Sequence, residues 1–376
     1  NDLSKPDITK TPPPRFDLVN VKDYFIMPLQ FSRGCPFNCE FCDIIELFGR
    51  IPRTKTTDQL INELNLLFET GFLGTVFIVD DNFIGNKRRV KALLKEIIQW
   101  QEDHDYPYMF FTEASINLAD DDELLDYMEM AGFLQVFIGI ETPDMETLKS
   151  VNKNQNYKMD IYESILKIHK RGIEVMGGFI LGFDSDPPNI FDLQIDFIKK
   201  AGIPQAMVGL LNALPNTQLY RRLQKEGRLL GESSGDNLNL YINFITKLPK
   251  QDLLKGYKKI IREIYNPKSY FQTAMTFFKN IPKRSIISDM NKNTFQWKIL
   301  KGAVRAYKRH MLKTAFSVFK LFFSKNGFRY FIYTLRIILF YLPRTNTLLL
   351  IQILLKGHHF MELAKIIEDI DRVKIQ

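Results

Sequence analysis

Cysteine is almost missing from this chain: 376 residues hold three, Cys35, Cys39 and Cys42, all within one short stretch. An odd, local set in a long chain argues against a disulfide scaffold, whose cysteines are paired and spread out. Reduced, clustered thiols imply a cytoplasmic setting. Long apolar runs are missing too. Residues 328–355 are interrupted by Arg329, Arg336 and Arg344, which argues against a membrane-spanning helix. No signal-peptide pattern follows the first residue, which is Asn1 rather than Met, so a chain that starts inside a longer one is expected. Acidic residues are scarce in one region only. Residues 255–344 hold 20 Lys and Arg against two acids, Glu263 and Asp289, while the whole chain nets +8, so the rest is acidic.

What is present has room for two domains and a substantial core, with 45% apolar residues. The 31 Phe and 15 Tyr suit a dense core or a bulky apolar ligand. Residues 1–24 are polar and carry Pro6, Pro12, Pro13 and Pro14, the composition of an extended linker. From about residue 25 to 211 short apolar runs alternate with helical patterns. Strands are predicted over 25–31, 75–79, 108–112, 136–140, 175–181 and 206–211. Helices are predicted over 57–70, 87–104, 120–131, 160–170 and 190–201, with a closing helix over 217–230. Such alternation gives βα units and a parallel sheet, with reactive groups at the C-terminal strand ends. Six units are too few for a closed eight-stranded barrel. Residues 231–250 read as a connector. Residues 251–376 read as a basic all-helical domain, with helices over 251–265, 269–279, 293–324 and 329–342.

The cysteines follow the first predicted strand, spaced Cys-x3-Cys-x2-Cys with Phe41 immediately before the last. Thiolates are soft ligands that suit zinc and iron–sulfur clusters. Three on one loop can hold three corners of a cubane and leave the fourth iron open. An open position separates a reactive metal site from a closed structural one. Gly34, Pro36 and Asn38 are turn formers that let the loop curl. Zinc is the rival and needs a fourth ligand, but no histidine is nearer in sequence than His104.

Cys-x3-Cys-x-aromatic-Cys after a strand resembles the signature of the radical S-adenosylmethionine (radical SAM) superfamily. Residues 30–54, with Asp80, Asp81 and Asn82, resemble its cobalamin-associated group that includes the hopanoid C-2 methylases. The resemblance implies an α/β fold: a partial (β/α)6 TIM-like barrel over residues 25–230, followed by the all-α C-terminal domain. It implies a [4Fe-4S] cluster on Cys35, Cys39 and Cys42, with S-adenosylmethionine on its free iron. Asp80-Asp81-Asn82 sits where the family contacts the methionine amino group, although the usual Gly-Gly-Glu is replaced; an ordinary strand-ending turn or helix cap is the rival. Glu141 and Glu113, after apolar strands, are further candidate cofactor contacts, since a carboxylate there needs a partner. Gly178, Ile180 and Gly182 match the family's Gly-x-Ile-x-Gly segment lining the adenine site, where glycine lets a flat ring approach; close packing is the rival. The family's acid three residues further on is Ser185 here, between Asp184 and Asp186. Arg33, beside the cluster, is a candidate partner for a sulfide or an acid.

The resemblance further implies radical methylation of an unactivated carbon on a lipid-like substrate, hopanoid or isoprenoid, and an electron donor such as flavodoxin or ferredoxin. Cobalamin binding in such methylases uses an upstream Asp-x-His-x-x-Gly loop. His104, His169, His310, His358 and His359 lack that context, so a cobalamin domain is expected before Asn1. A radical SAM methylthiolation of tRNA is an alternative, but the second cysteine set it usually needs is missing. A zinc-stabilised basic binding module is the non-enzymatic alternative. In the basic region Lys258, Lys259, Arg262, Arg305, Lys308 and Arg309 suit an anionic membrane surface or a solvated face. No RNA-binding signature accompanies them, which argues against nucleic acid.

Overall fold

In the computed structural model, residues 5–233 and 240–281 are described, together with Ile332 and Gly357. Six parallel strands form one sheet in chain order: β1 (Ile26–Leu29), β2 (Gly74–Ile78), β3 (Tyr108–Glu113), β4 (Phe133–Glu141), β5 (Glu174–Leu181) and β6 (Ala206–Leu210). The connections carry α1 (Thr57–Glu69), α2 (Lys87–Asp103), α3 (Asp122–Ala131), α4 (Ile161–His169) and α5 (Ile190–Ala201). Then come α6 (Gln218–Lys225), α7 (Lys250–Tyr265) and α8 (Pro267–Asn280). This is the expected α/β architecture: a six-stranded partial barrel followed by helices.

Local chemistry starts and stops these helices where the pattern predicts. Thr56 and Gln59 form a reciprocal capping box on α1, and Asn86, Asp121, Asp160 and Thr217 cap α2, α3, α4 and α6. Along each strand alternate residues enter the helix-facing core. Val76 and Ile78 are fully buried there, whereas Phe77 between them is half-buried on the opposite face, stacked on Phe111 at 4.2 Å. Phe137, Met176 and Ile180 are also half-buried, and Met207 is exposed, so the face away from the helices is apolar and open. Pro28 sits on β1, an edge strand, where its missing N–H costs no ladder bond.

Three differences from expectation have physical causes. The segment expected to be a linker is packed on the barrel: Ile8, Phe16 and Val21 are buried, and Lys5 donates to the carbonyls of Glu46 and Leu47. Its apolar residues at intervals make three short 3₁₀ turns that the proline content alone does not reveal. The closing helix ends at Lys225 because Gly227 turns left-handed, and Leu229 then pairs with Phe244. Finally, α7 and α8 belong to the barrel's own core, with Leu253, Tyr257, Ile260, Phe271 and Phe277 in the same cluster as the strands. Tyr265 Oη donates to the Ala206 carbonyl at 2.6 Å, tying α7 to the start of β6. The helices expected over 293–324 and 329–342 lie outside the described residues.

Gly202 ends α5 in a left-handed turn, and a Cβ there would lie 2.8 Å from the Phe277 backbone nitrogen. Gly202→Ala should therefore cost at least the ~1–2 kcal/mol of a left-handed alanine. A lower urea midpoint with an unchanged slope checks this; an unchanged midpoint refutes the close α5–α8 contact.

Candidate functional site

The cysteine loop leaves β1 and folds back on itself. Gly34 has φ +101°, and a Cβ there would meet the Gly49 carbonyl oxygen at 2.8 Å and that of Ile51 at 3.1 Å. The Cys35 N–H donates to the same Gly49 carbonyl at 3.3 Å, and the Cys42 N–H donates to the Cys39 carbonyl at 3.3 Å. A two-residue ribbon pairs Ser32–Arg33 with Arg53–Thr54 and closes the loop's neck. Cys39 is buried; Cys35 and Cys42 are half-buried. All three are free thiols.

Two side-chain amides point at sulfur. Asn82 Nδ2 donates to Cys35 Sγ at 3.7 Å and Gln155 Nε2 donates to Cys39 Sγ at 3.6 Å. Burial pushes the Cys42 thiol up to about 12 and raises Cys35 as well, with Cys39 adding repulsion at both. Such thiols hold their protons at neutral pH until a metal displaces them. Among the described residues no three His, Cys, Asp or Glu, the three cysteines included, gather closely enough to hold one metal ion. A cluster differs because it distributes three thiolates over three iron corners. Soft donors with N–H groups aimed at their sulfurs fit that group.

The acids after β2 divide into distinct tasks. Asp80 is 1% exposed and accepts from the Phe31 N–H at 2.7 Å, the Ser32 N–H at 2.8 Å and the Ser32 hydroxyl at 2.6 Å. It anchors the loop's start and has no side turned toward a ligand. Burial nonetheless raises it to about 6. Asp81 accepts from the Gly34 N–H at 3.4 Å, and burial raises it. Asn82 links Cys35 to Ser115, accepting from the Ser115 N–H at 3.2 Å. Glu113, at the end of β3, is pushed up to about 7, mainly by burial and further by the charge of Asp81. Among the described residues its carboxylate has no hydrogen-bonding partner.

Glu141 is placed differently. The β4–β5 register shifts between Gly139 and Glu141, Glu141 takes φ +64°, and its carboxylate pairs with Lys153 Nζ at 2.5 Å. Both partners are buried, and a Cβ at Gly139 would collide with them. Lys153 therefore stays charged despite burial, held chiefly by Glu141. On β5, Gly178 makes room for the Phe137 ring, which a Cβ would meet at 2.7 Å, so close packing explains that glycine. The Gly182 N–H donates to Asp186 Oδ2 at 2.8 Å, and Ile180 is half-buried. Phe41 lies 5.6 Å from Phe183, and the two line a cavity of ≈ 290 Å³ with Leu211, Phe244 and Arg222. Arg33 Nε donates to Gln30 Oε1 at 2.7 Å.

The structure thus gathers the cysteines, Phe41, Asp81, Asn82 and Glu113 at the C-terminal strand ends. Asp80 and Glu141 are taken by protein partners. Gln155 and Lys153 carried no spacing signal in the sequence. In the basic region Lys259 pairs with Asp192 on α5, while Arg305, Lys308 and Arg309 lie outside the described residues. Among the described residues no helix is long and apolar enough to cross a membrane.

Residues 29–198 match a family model described as the Radical SAM superfamily, and residues 217–372 match a domain of unknown function (DUF4070). The chain is 51% identical over 267 residues to an uncharacterized methyltransferase of Synechocystis sp., covering 71% of this chain and 50% of that protein. It is 40% identical over 263 residues to the hopanoid C-2 methylase of Rhodopseudomonas palustris, covering 70% and 49%. The apo, SeMet-labelled cobalamin-dependent S-adenosylmethionine radical enzyme OxsB shares the fold at TM-score 0.53 and 16% identity, over 81% of this chain and 53% of that one. The chain spans about half the length of the curated relatives it matches.

Two outcomes follow, one from the cysteine loop and one from the exit of β5. Gly34→Ala adds strain of about 1–3 kcal/mol at the loop's tightest point, so iron uptake on anaerobic reconstitution should drop sharply while far-UV circular dichroism is unchanged. Full uptake would show that Gly34 does not shape the loop. For acid stability, burial would raise Asp184, but hydrogen bonds from Arg228 and Arg222 prevail and hold it down to about 2. A depressed carboxylate stabilises above its ordinary pKa of 3.8 and loses that contribution as pH falls toward about 2. Urea midpoints across this window should fall less steeply in Asp184→Asn than in wild type.

Proposed function

We propose, from the premise that residues 29–198 make this chain a member of the radical SAM superfamily, that it holds a [4Fe-4S] cluster and methylates an unactivated carbon. The observation that carries the reading is the three-thiol loop with two amide N–H groups aimed at its sulfurs. When bound, the cluster supplies the electron that splits a carbon–sulfur bond of S-adenosylmethionine. Cys35, Cys39 and Cys42 would hold it. Asn82 and Gln155 orient two of the sulfurs and stabilise their thiolate form, which tunes the site's potential.

The remaining residues bind and orient. Asp81 and Glu113 offer carboxylates near one another with little protein compensation, a setting suited to an ammonium group. The cavity beside Phe41 and Phe183 suits a purine. Glu141, already paired, keeps Lys153 charged beside the sulfurs. The apolar inner face of Phe77, Phe111, Phe137 and Met176 suits a lipid-like substrate. The 40% identical hopanoid C-2 methylase supports a hopanoid or isoprenoid lipid, and the cobalamin-dependent relative supports cobalamin as methyl carrier. An electron donor such as flavodoxin or ferredoxin completes the reading.

Anaerobic reconstitution tests it. Wild type should take up iron and sulfide in cubane stoichiometry and show an iron–sulfur charge-transfer absorbance that Cys39→Ala loses. With a reductant and S-adenosylmethionine it should release 5′-deoxyadenosine, detected by mass spectrometry. Asp81→Asn should weaken S-adenosylmethionine binding by roughly tenfold or more, the value of a hydrogen bond to a charged group, as read by equilibrium dialysis. Stoichiometric zinc without iron uptake would overturn the reading.

A further inference from the structure

Glu40 lies between two candidate cluster ligands, Cys39 and Cys42, and all its polar groups are engaged by distant parts of the chain. Its N–H donates to the Val151 carbonyl at 3.0 Å, and its carbonyl accepts from the Leu219 N–H at 2.9 Å. Its carboxylate accepts from Arg222 Nε at 2.6 Å and from Nη2 at 3.2 Å. Arg222 Nη1 also donates to Asp184 Oδ2 at 2.8 Å, in the loop that leaves β5. Asp184 is itself held by Arg228 at 2.6 Å, and Gln218 of α6 donates to Asn38 at 2.8 Å. These bonds join the loop after β1 to segments that follow β4, β5 and β6.

We propose that Arg222 is a positioning residue for the cluster: by clamping Glu40 to Asp184 it fixes the Cys39–Cys42 turn against the exit of β5. Exposed ion pairs contribute little, but Glu40 and Asp184 are only 12% and 15% exposed, and the pairs form a network. The contact to Glu40 uses the fixed fork of a guanidinium, which a lysine ammonium cannot reproduce. The Arg222 side chain faces Glu40, Asp184 and Glu226, with Lys247 on the same cavity wall. The inference rests on the cluster reading above, but its first test does not need the cluster.

That test is amide hydrogen exchange of the full-length apo chain. Arg222→Gln should speed exchange at residues 39–42 by about tenfold, and Arg222→Lys should not restore protection. After anaerobic reconstitution, Arg222→Gln should lose iron to a chelator about tenfold faster, the usual effect of removing a group that orients a metal ligand. The electron paramagnetic resonance line shape of the reduced cluster should shift as well. Glu40→Gln should give the same changes, and the double variant no more than either single one. Gly202→Ala, a variant expected to lose stability elsewhere, should leave exchange at 39–42 and the line shape unchanged. Wild-type rates in Arg222→Gln, or equal changes in Gly202→Ala, overturn the clamp. If Arg222→Gln does not fold, Arg222→Lys decides by the same measurements. If wild type takes up no iron, the cluster reading fails while the apo exchange still decides on Arg222.

Discussion

The site depends on one buried carboxylate. Asp80 leaves β2 and gives both oxygens to donors at the exit of β1, the Phe31 and Ser32 N–H groups and the Ser32 hydroxyl. A buried charge is tolerable only when hydrogen-bonded in this way. The contact locks two neighbouring strand ends together and sets the direction in which the cysteine loop departs. Gly34 then provides the backbone turn that any Cβ would block, and the loop returns through the ribbon at Arg53–Thr54. Cluster ligation, on this view, is a property of the sheet's edge before it is a property of the thiols.

Charge is distributed around that loop with a consistent sign. Three thiols repel one another once ionised, and the charge of Asp81 adds to the cost of ionising Glu113. Lys153 is committed to Glu141 yet near enough to Cys39 and Cys42 to feel them. A centre of this kind is electrostatically unsatisfied without added positive charge. On the proposed reading, metal ions at the sulfurs and a cationic ligand at the carboxylates would relieve it. The strained Glu141, at φ +64°, is the backbone cost of turning one carboxylate toward Lys153 instead of the open centre.

Much of this was legible in sequence, and the pattern of what was not is physical. The strand–helix alternation, the spacing of the cysteines and the acids at the strand ends are local signals, and all three carried through to the architecture. Asp80 and Asp81 look alike as letters. Their separation into an anchor and an available acid depends on which way each side chain leaves the strand, which composition does not encode. Gln155, Lys153 and Arg222 are distant in the chain from the cysteines and became visible only in three dimensions. The proline-rich start misled because prolines mark extended backbone without saying what it lies on; Ile8, Phe16 and Val21 decide that.

The long reach of these contacts constrains how the centre comes together. The 182 residues separating Glu40 from Arg222, and the 116 separating Cys39 from Gln155, span most of the barrel. Contacts so far apart in sequence cost loop-closure entropy that only a formed core repays. That core includes α7 and α8, since Tyr265 bonds the start of β6 and Phe277 packs on His169 behind α4. The thiols therefore sit on the first strand's loop, but their geometry is completed by residues from the fourth unit onward. A short motif can announce the chemistry, while the contacts that surround it come from the whole barrel and the helices packed on it.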